Sequence, residues 1–266
     1  MLCLTTHQVG SCRAIGWAAG TGGPLPVSFP ALVTLIRLEG FTLLVDCGYG
    51  PAFFEATAGF PARIYRWLTP VSLPGSQRLN RQLPCQPDLV MLTHLHADHV
   101  AGLCDLPAHV PVAVSASAMA HLRGLSDLAA TRAACPPRLR DMILSRPLSM
   151  IENQPLRDTG LPGFPSGHDL LGDGRLLAVP LPGHGVGQMG LWIPEAARLL
   201  IADAAYSRRA LRLNRMPPHA VLSGLGDATA YAQTFTALRR LMLLRPDIRL
   251  DPSHCPEVAP CSSPPS

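Results

Sequence analysis

Thr93-His94-Leu95-His96-Ala97-Asp98-His99 stands at the end of 88–93 (DLVMLT), a run with the composition of a short buried strand. Three imidazoles and one carboxylate therefore leave a single strand end on a single loop. Imidazole nitrogen and carboxylate oxygen are the ligand types that suit zinc. A hydrogen-bonded surface loop could use the same residues. Four such side chains crowded at a strand end, however, repel or desolvate one another unless a cation sits among them. The pattern predicts a metal site.

Working outward, 31–38 (ALVTLIRL) and 41–46 (FTLLVD) read as a hairpin about Glu39-Gly40, ending at Asp46. Gly48-Tyr49-Gly50-Pro51 then turns the chain into a short helix. Residues 61–87 lack a clean period until a helical pattern near 78–83. After the His-rich loop, 111–115 (PVAVS) reads as a strand, followed by Ala and Leu at helical spacing to about 145. The second half repeats the outline. Strands are expected at 175–181, 188–193 and 198–202, the last ending at Asp203. A helix is expected over 227–244, with Asp227 as its N-cap and Arg245-Pro246 as its stop. A final strand at 248–251 delivers Ser253 and His254. Strand blocks with helices in each half predict two sheets packed face to face, with helices outside, in one domain over 1–255. The Pro/Ser-rich stretch 256–266 is expected to be a flexible tail.

Composition agrees with this and narrows the partners. Hydrophobic residues make up 47% of 266 and charged residues 15%, so the chain can bury a sizeable core. With 23 Gly and 28 Pro, short elements joined by ordered turns are expected rather than a helical bundle. The net charge is +4 and every cation is Arg, yet the arginines are scattered and form no basic stripe. No nucleic-acid partner is expected. The eight cysteines form no C-x-x-C pair, and the start of the chain lacks a basic segment followed by an apolar one. The apolar stretch 31–46 is broken by Arg37 and Glu39. These features predict reduced thiols, a cytoplasmic location and no membrane partner.

The loop THLHADHVAG resembles the signature of the metallo-β-lactamase-fold hydrolases. Further positions match that family in order and context. His184 lies in Pro182-Gly183-His184-Gly185, Asp203 ends RLLIAD, and His254 follows the last strand. The resemblance covers about 31–255. It implies an α/β fold, a four-layer αββα sandwich, with a dinuclear zinc centre at one edge, other divalent transition metals being possible. By resemblance, His94, His96 and His184 hold one ion, Asp98, His99 and His254 the other, and Asp203 bridges. Asp46 resembles an early strand-end aspartate that braces a ligand imidazole. The family usually has an acidic or small polar residue after the last histidine, whereas Cys255 stands here and could compete as a ligand.

Within the family, Tyr206, three residues after Asp203, resembles the N-acyl homoserine lactonases, where a phenol reaches the substrate carbonyl. The implied reaction is hydrolysis of a small-molecule lactone by a metal-bridging hydroxide. Tyr206 would stabilise the oxyanion and Asp98 would relay a proton to the leaving oxygen. A homodimer is a possible assembly. The alternatives are a glyoxalase-II-like thioesterase, with Arg208, Arg209 and Arg212 receiving an anionic thiol carrier, and a metal-stabilised sensor without turnover. Phe53, Phe54, Phe60, Tyr65 and Trp67 are candidates for a substrate wall, with core packing as the simpler expectation.

Overall fold

Alternation along one strand already separates two cores. A computed structural model describes residues 1–20 and 23–258. Within the strand Pro26–Leu38, Val33 and Leu35 pack with Phe53, Leu139 and Ile143 of helices Pro51–Ala56 and Pro137–Leu144. Ile36 and Leu38 point the other way and pack with Leu176, Ala178, Leu191 and Ile193 of the opposing sheet. Successive side chains of a strand point to opposite faces, so a strand apolar on both faces must be covered twice.

The first sheet contains β1 (Cys3–Ile15), β2 (Pro26–Leu38), β3 (Phe41–Val45), β4 (Val71–Ser72), β5 (Leu89–Met91), β6 (Val112–Val114) and β7 (Leu148–Met150). Their order is β4-β1-β2-β3-β5-β6-β7, with β3, β5, β6 and β7 parallel. The second contains β8 (Leu156–Leu161), β9 (Phe164–Asp169), β10 (Leu177–Pro180), β11 (Met189–Ile193), β12 (Arg198–Ala202) and β13 (Arg249–Pro252). Its order is β13-β12-β11-β10-β9-β8, with β12 and β13 parallel. Helix Ala228–Leu244 covers its outer face through Tyr231, Phe235, Leu238 and Leu241. The layers are thus helix, sheet, sheet, helix, as expected. Two backbone bonds stitch the sheets at one edge: Met189 donates to Thr93 (2.8 Å) and Leu32 to Ser253 (2.9 Å).

Some elements are not those the local pattern suggests. Residues 3–15 form the long strand β1, paired to β2 along nearly its whole length. Helix Ala62–Leu68 lies in the stretch without a clean period, with Ile64, Trp67 and Leu68 exposed beside Arg63 and Arg66, so its outer face mixes apolar and charged residues. Of the stretch expected to be a tail, Val258 is buried against Leu32 and Cys255, and 259–266 lie outside the described residues. Among the described residues no helix is long and apolar enough to cross a membrane.

Candidate metal centre

Every sequence-predicted site residue lies just beyond the C-terminal end of a strand. Asp46 follows β3, His94 to His99 follow β5, His184 follows β10, Asp203 follows β12 and His254 follows β13. The parallel pairings β3–β5 and β12–β13, and two antiparallel steps from β10 to β12, bring all five ends to the same edge. The backbone is tight there. Asp46 (φ 61°) and Ala202 (φ 47°) adopt left-handed conformations unusual for side-chain-bearing residues. Gly183 (φ 134°) lets the His184 loop approach helix Ala228–Leu244, since a Cβ there would lie 2.3 Å from the Tyr231 backbone.

His94, His96, His99, His184, Asp203 and His254 are all buried, while Asp98 is partly open. Their donor atoms fall into overlapping groups, each within 4.8 Å: His94, His96 and His184; His94, His99 and Asp203; and Asp98, His99 and His254. The structure therefore collects the two ligand sets implied by resemblance into one continuous cluster. Asp203 sits between them, with Oδ2 3.2 Å from His184 Nε2 and 3.2 Å from His254 Nε2.

The hydrogen bonds show what the cluster is built for. His94 Nε2, His99 Nε2 and Asp203 Oδ1 are buried without any hydrogen-bond partner. Buried polar atoms are normally satisfied, and orphaning one costs about 1–3 kcal/mol. Three converging orphans fit a cation as the missing partner. His184 Nε2 and His96 Nδ1 approach to 3.0 Å, a separation that two lone pairs tolerate around a shared ion.

Meanwhile the far sides of the rings are held. Asp46 Oδ2 accepts from His99 Nδ1 at 2.7 Å, and Pro30 carbonyl accepts from His254 Nδ1 at 2.7 Å. Each bond keeps the proton on Nδ1 and leaves Nε2 as a ligand atom. Asp46 also accepts from Thr93 N (2.8 Å) and Thr93 Oγ1 (2.8 Å), which ties β3 to the loop after β5. Asp46 thus holds both the loop and the His99 ring. Thr93 and the Pro30 carbonyl are contributors that no local signal in the sequence marks.

Electrostatics divide the histidines. Burial, reinforced by neighbouring imidazoles, holds His94 well below the ordinary value and His96 at about 3, and burial also lowers His184. These three are neutral donors. Burial opposes charge on His99 and His254 too, but the carboxylates overcome it. Asp46, Asp203 and Asp98 push His99 up to about 10, and Asp203 and Asp98 raise His254 strongly. Burial opposes ionisation of Asp98 and Asp203, yet the facing histidines hold both below the usual carboxylate range. Without ions, protons neutralise part of the carboxylate charge; a dication takes that place more completely.

Tyr206 reaches the same point. Its hydroxyl lies 3.3 Å from His184 Nδ1, its ring packs between Phe29 and His254, and burial followed by Asp203 raises its pKa well above the ordinary value. His96, Asp98, His184, Asp203, Tyr206 and His254 line a cavity of about 530 Å³. Its remaining wall is mainly apolar, from Ile15, Ala18, Ala19, Leu68, Val221 and Leu225, and contains no Arg. Of the aromatics considered for this wall, only Tyr65 reaches it. Phe53 is buried in the core, and Phe60 and Trp67 are exposed and pack on each other.

Several expectations are redirected. Arg208 is not available to a ligand: with Arg198 and Arg249 it pairs with the buried Asp251. Arg212 makes a two-point pair with Glu257 (2.7 and 2.9 Å). Cys255 turns away from the donor groups, packs on Leu32 and Val258, and accepts from Arg208 N at 3.4 Å. The other described histidines, His7, His109, His168 and His219, bond to nearby polar groups, and His121 is exposed.

The model of the metallo-beta-lactamase superfamily matches residues 28–250. A solved N-acyl homoserine lactone hydrolase, with N-hexanoyl-L-homoserine bound at its catalytic metal centre, superposes with a TM-score of 0.71 at 15% identity, over 96% of this chain and 93% of that one. A dizinc quorum-quenching lactonase gives 0.62 at 16% identity over 99% and 92%. A probable metal-dependent hydrolase from Staphylococcus aureus gives 0.67 at 12% over 96% and 89%. At such identities the likeness is one of fold. Among curated proteins, ribonuclease Z of Mycobacterium sp. (strain KMS) is 38% identical over 88 residues, 33% of this chain and 23% of that protein. The chain thus matches less than a quarter of the length of that relative.

Proposed function

Since this chain belongs to the metallo-beta-lactamase superfamily, we propose that it is a dinuclear zinc hydrolase that opens a lactone, in the manner of the N-acyl homoserine lactonases. One observation carries the reading. Donors of both ligand sets, His96 and His184 of one and Asp98 and His254 of the other, line a largely apolar cavity together with Tyr206 and with Asp203, whose Oδ1 is orphaned. His94, His96 and His184 would hold one ion, and Asp98, His99 and His254 the other, with Asp203 shared. Ions bound there would supply Lewis acidity to a carbonyl and acidify water.

The chain's own residues supply the rest. With His184 Nε2 turned to the donor cluster, its Nδ1–H donates to the Tyr206 oxygen, which leaves the phenol O–H free to donate into the cavity. A substrate carbonyl placed there receives that hydrogen bond as its oxygen gains charge. Hydrolysis adds the hydroxyl of water to the acyl carbon and breaks the bond to the ring oxygen. The remaining proton passes to that oxygen, and in this reading Asp98, the most open carboxylate of the cluster, carries it. The apolar wall suits an acyl chain.

The rival readings find less support. A thioesterase acting on an anionic carrier would draw on Arg208, Arg209 or Arg212; Arg208 and Arg212 are already paired, so among the described residues Arg209 alone of the three is open to such a carrier. An RNA substrate would call for cations around the cavity, whose wall has no Arg. The mainly apolar cavity wall favours a small-molecule substrate, and a cytoplasmic setting is part of the same proposal. The test is turnover by the zinc-loaded protein on lactones, thioesters and phosphodiesters in parallel. Hydrolysis of lactones first supports the proposal; cleavage of thioesters or phosphodiesters with lactones untouched overturns it.

A further inference from the structure

A second cavity, of about 350 Å³, meets the first at a shared wall of Phe29, Tyr206 and His254. The two differ sharply in charge. The larger one contains no Arg, whereas Arg209 and Arg215 both line the smaller one. Neither guanidinium makes a hydrogen bond or ion pair among the described residues, although every other charged cluster around them is closed: Arg208 on Asp251, Arg212 on Glu257, Arg239 on the Leu211 carbonyl. Glu257 also lines this cavity; it is paired at two points with Arg212 and feels Arg208 and Arg209 as well, so this one carboxylate faces several cations. The cavity therefore keeps a positive excess.

The geometry points to a two-part substrate. Resting on the hydrolase reading above, we infer that the smaller cavity receives an anionic group, a carboxylate or phosphate, carried on the leaving side of the scissile bond. The acyl part then occupies the apolar cavity, and the carbonyl sits at the wall both cavities share. Two exposed arginines on the wall of one cavity, with guanidinium groups unpaired among the described residues, suit an oxyanion with several acceptor oxygens. A neutral lactone would still be opened at the donor cluster but would leave these two cations unused. Tyr206 and His254 touch both cavities, so a group held by Arg209 and Arg215 is fixed next to the reacting carbonyl.

The test uses zinc-loaded full-length protein and three hexanoyl esters: of glycolic acid, of hydroxyethyl phosphate and of glycolamide. The first two carry the anion and the third is neutral. The acids should be turned over with kcat/KM at least about tenfold above the amide, mainly through KM, and the better of the two identifies the anion class. In Arg209→Gln/Arg215→Gln the ratio of acid to amide should fall toward one. Arg209→Glu should invert it. Calorimetric binding of the uncleavable ethers hexyloxyacetate and hexyloxyacetamide reads the same preference without turnover. If no ester is cleaved but the anionic ether still binds more tightly, and loses that advantage in the double variant, the hydrolase reading fails and the anion site stands. Equal binding of both ethers, or equal losses on acids and amide in the variant, overturns the inference.

Discussion

Replacing Asp46 with asparagine tests whether the metal centre depends on a residue that would touch no ion. In the native protein both Asp46 oxygens accept: Oδ1 from Thr93 N at 2.8 Å, Oδ2 from Thr93 Oγ1 at 2.8 Å and from His99 Nδ1 at 2.7 Å. Asparagine has the same shape, but one oxygen becomes an NH2 donor. Turned toward Thr93, it faces the backbone N–H; turned toward His99, it faces Nδ1–H. The first arrangement leaves a buried donor unsatisfied, at about 1–3 kcal/mol. The second can be relieved by moving the His99 proton from Nδ1 to Nε2, which is cheaper. That relief removes the lone pair His99 would offer an ion. We expect the fold to survive with a loss of no more than about 2 kcal/mol, while affinity for one ion falls about 10–100-fold. Asp46→Ala leaves three donors exposed to a small cavity of about 20 Å³, room for little more than one water, and should cost more stability, about 3–5 kcal/mol. Zinc affinity measured against a competing chromophoric chelator, alongside thermal unfolding of metal-loaded and stripped protein, separates the effects. Unchanged affinity for both ions in Asp46→Asn would falsify the tautomer argument.

Four further outcomes are expected. Protein purified without chelators should carry about two zinc-class ions per chain by elemental analysis, His96→Ala should carry fewer, and stripping should lower the unfolding temperature. Asp203→Asn should lose at least one ion and most of its turnover, because the carboxylate between the two donor sets loses its charge; full metal content with undiminished rate contradicts the shared role. Tyr206→Phe should keep metal and fold but slow acyl homoserine lactone hydrolysis about tenfold to several hundredfold, a loss of ~1.4–4 kcal/mol, read mainly in kcat. At pH 8 a thiol reagent should label exposed Cys85 in the native protein and spare buried Cys135, whose thiol burial pushes up to about 12; rapid native labelling of Cys135, mapped by mass spectrometry, contradicts that burial.

Local pattern carried furthest where one segment holds both its own period and its own stop. The hairpin about Glu39-Gly40 and the helix behind Asp227 are of that kind. Asp227 caps through bonds to Thr229 N and Ala230 N, and the helix ends at Leu244, just before Arg245-Pro246. The reading ran out where pairing or exposure depends on distant chain. Strand β1 has few β-branched or aromatic residues and no clean alternation, yet it forms because β2 offers a long edge to pair with. Arg208 and Arg212 look like free cations in the sequence, but their partners Asp251 and Glu257 lie more than forty residues away.

For the metal centre, sequence alone determined the donors: which imidazoles and carboxylates, in which order, each at the end of a strand. Those are covalent facts, and the ligand chemistry follows from residue type. Only tertiary structure decided that the donors share one point, that Asp203 stands between two sets, and which nitrogen of each ring is left to face an ion. The His254 proton is held by the Pro30 carbonyl, 224 positions away in the chain. The cavity walls come from the turn after β1 and the helix His219–Leu225, which have no local feature in common. Period and composition report on a residue and its near neighbours, whereas convergence depends on how two sheets stack, and that is settled by the whole core at once.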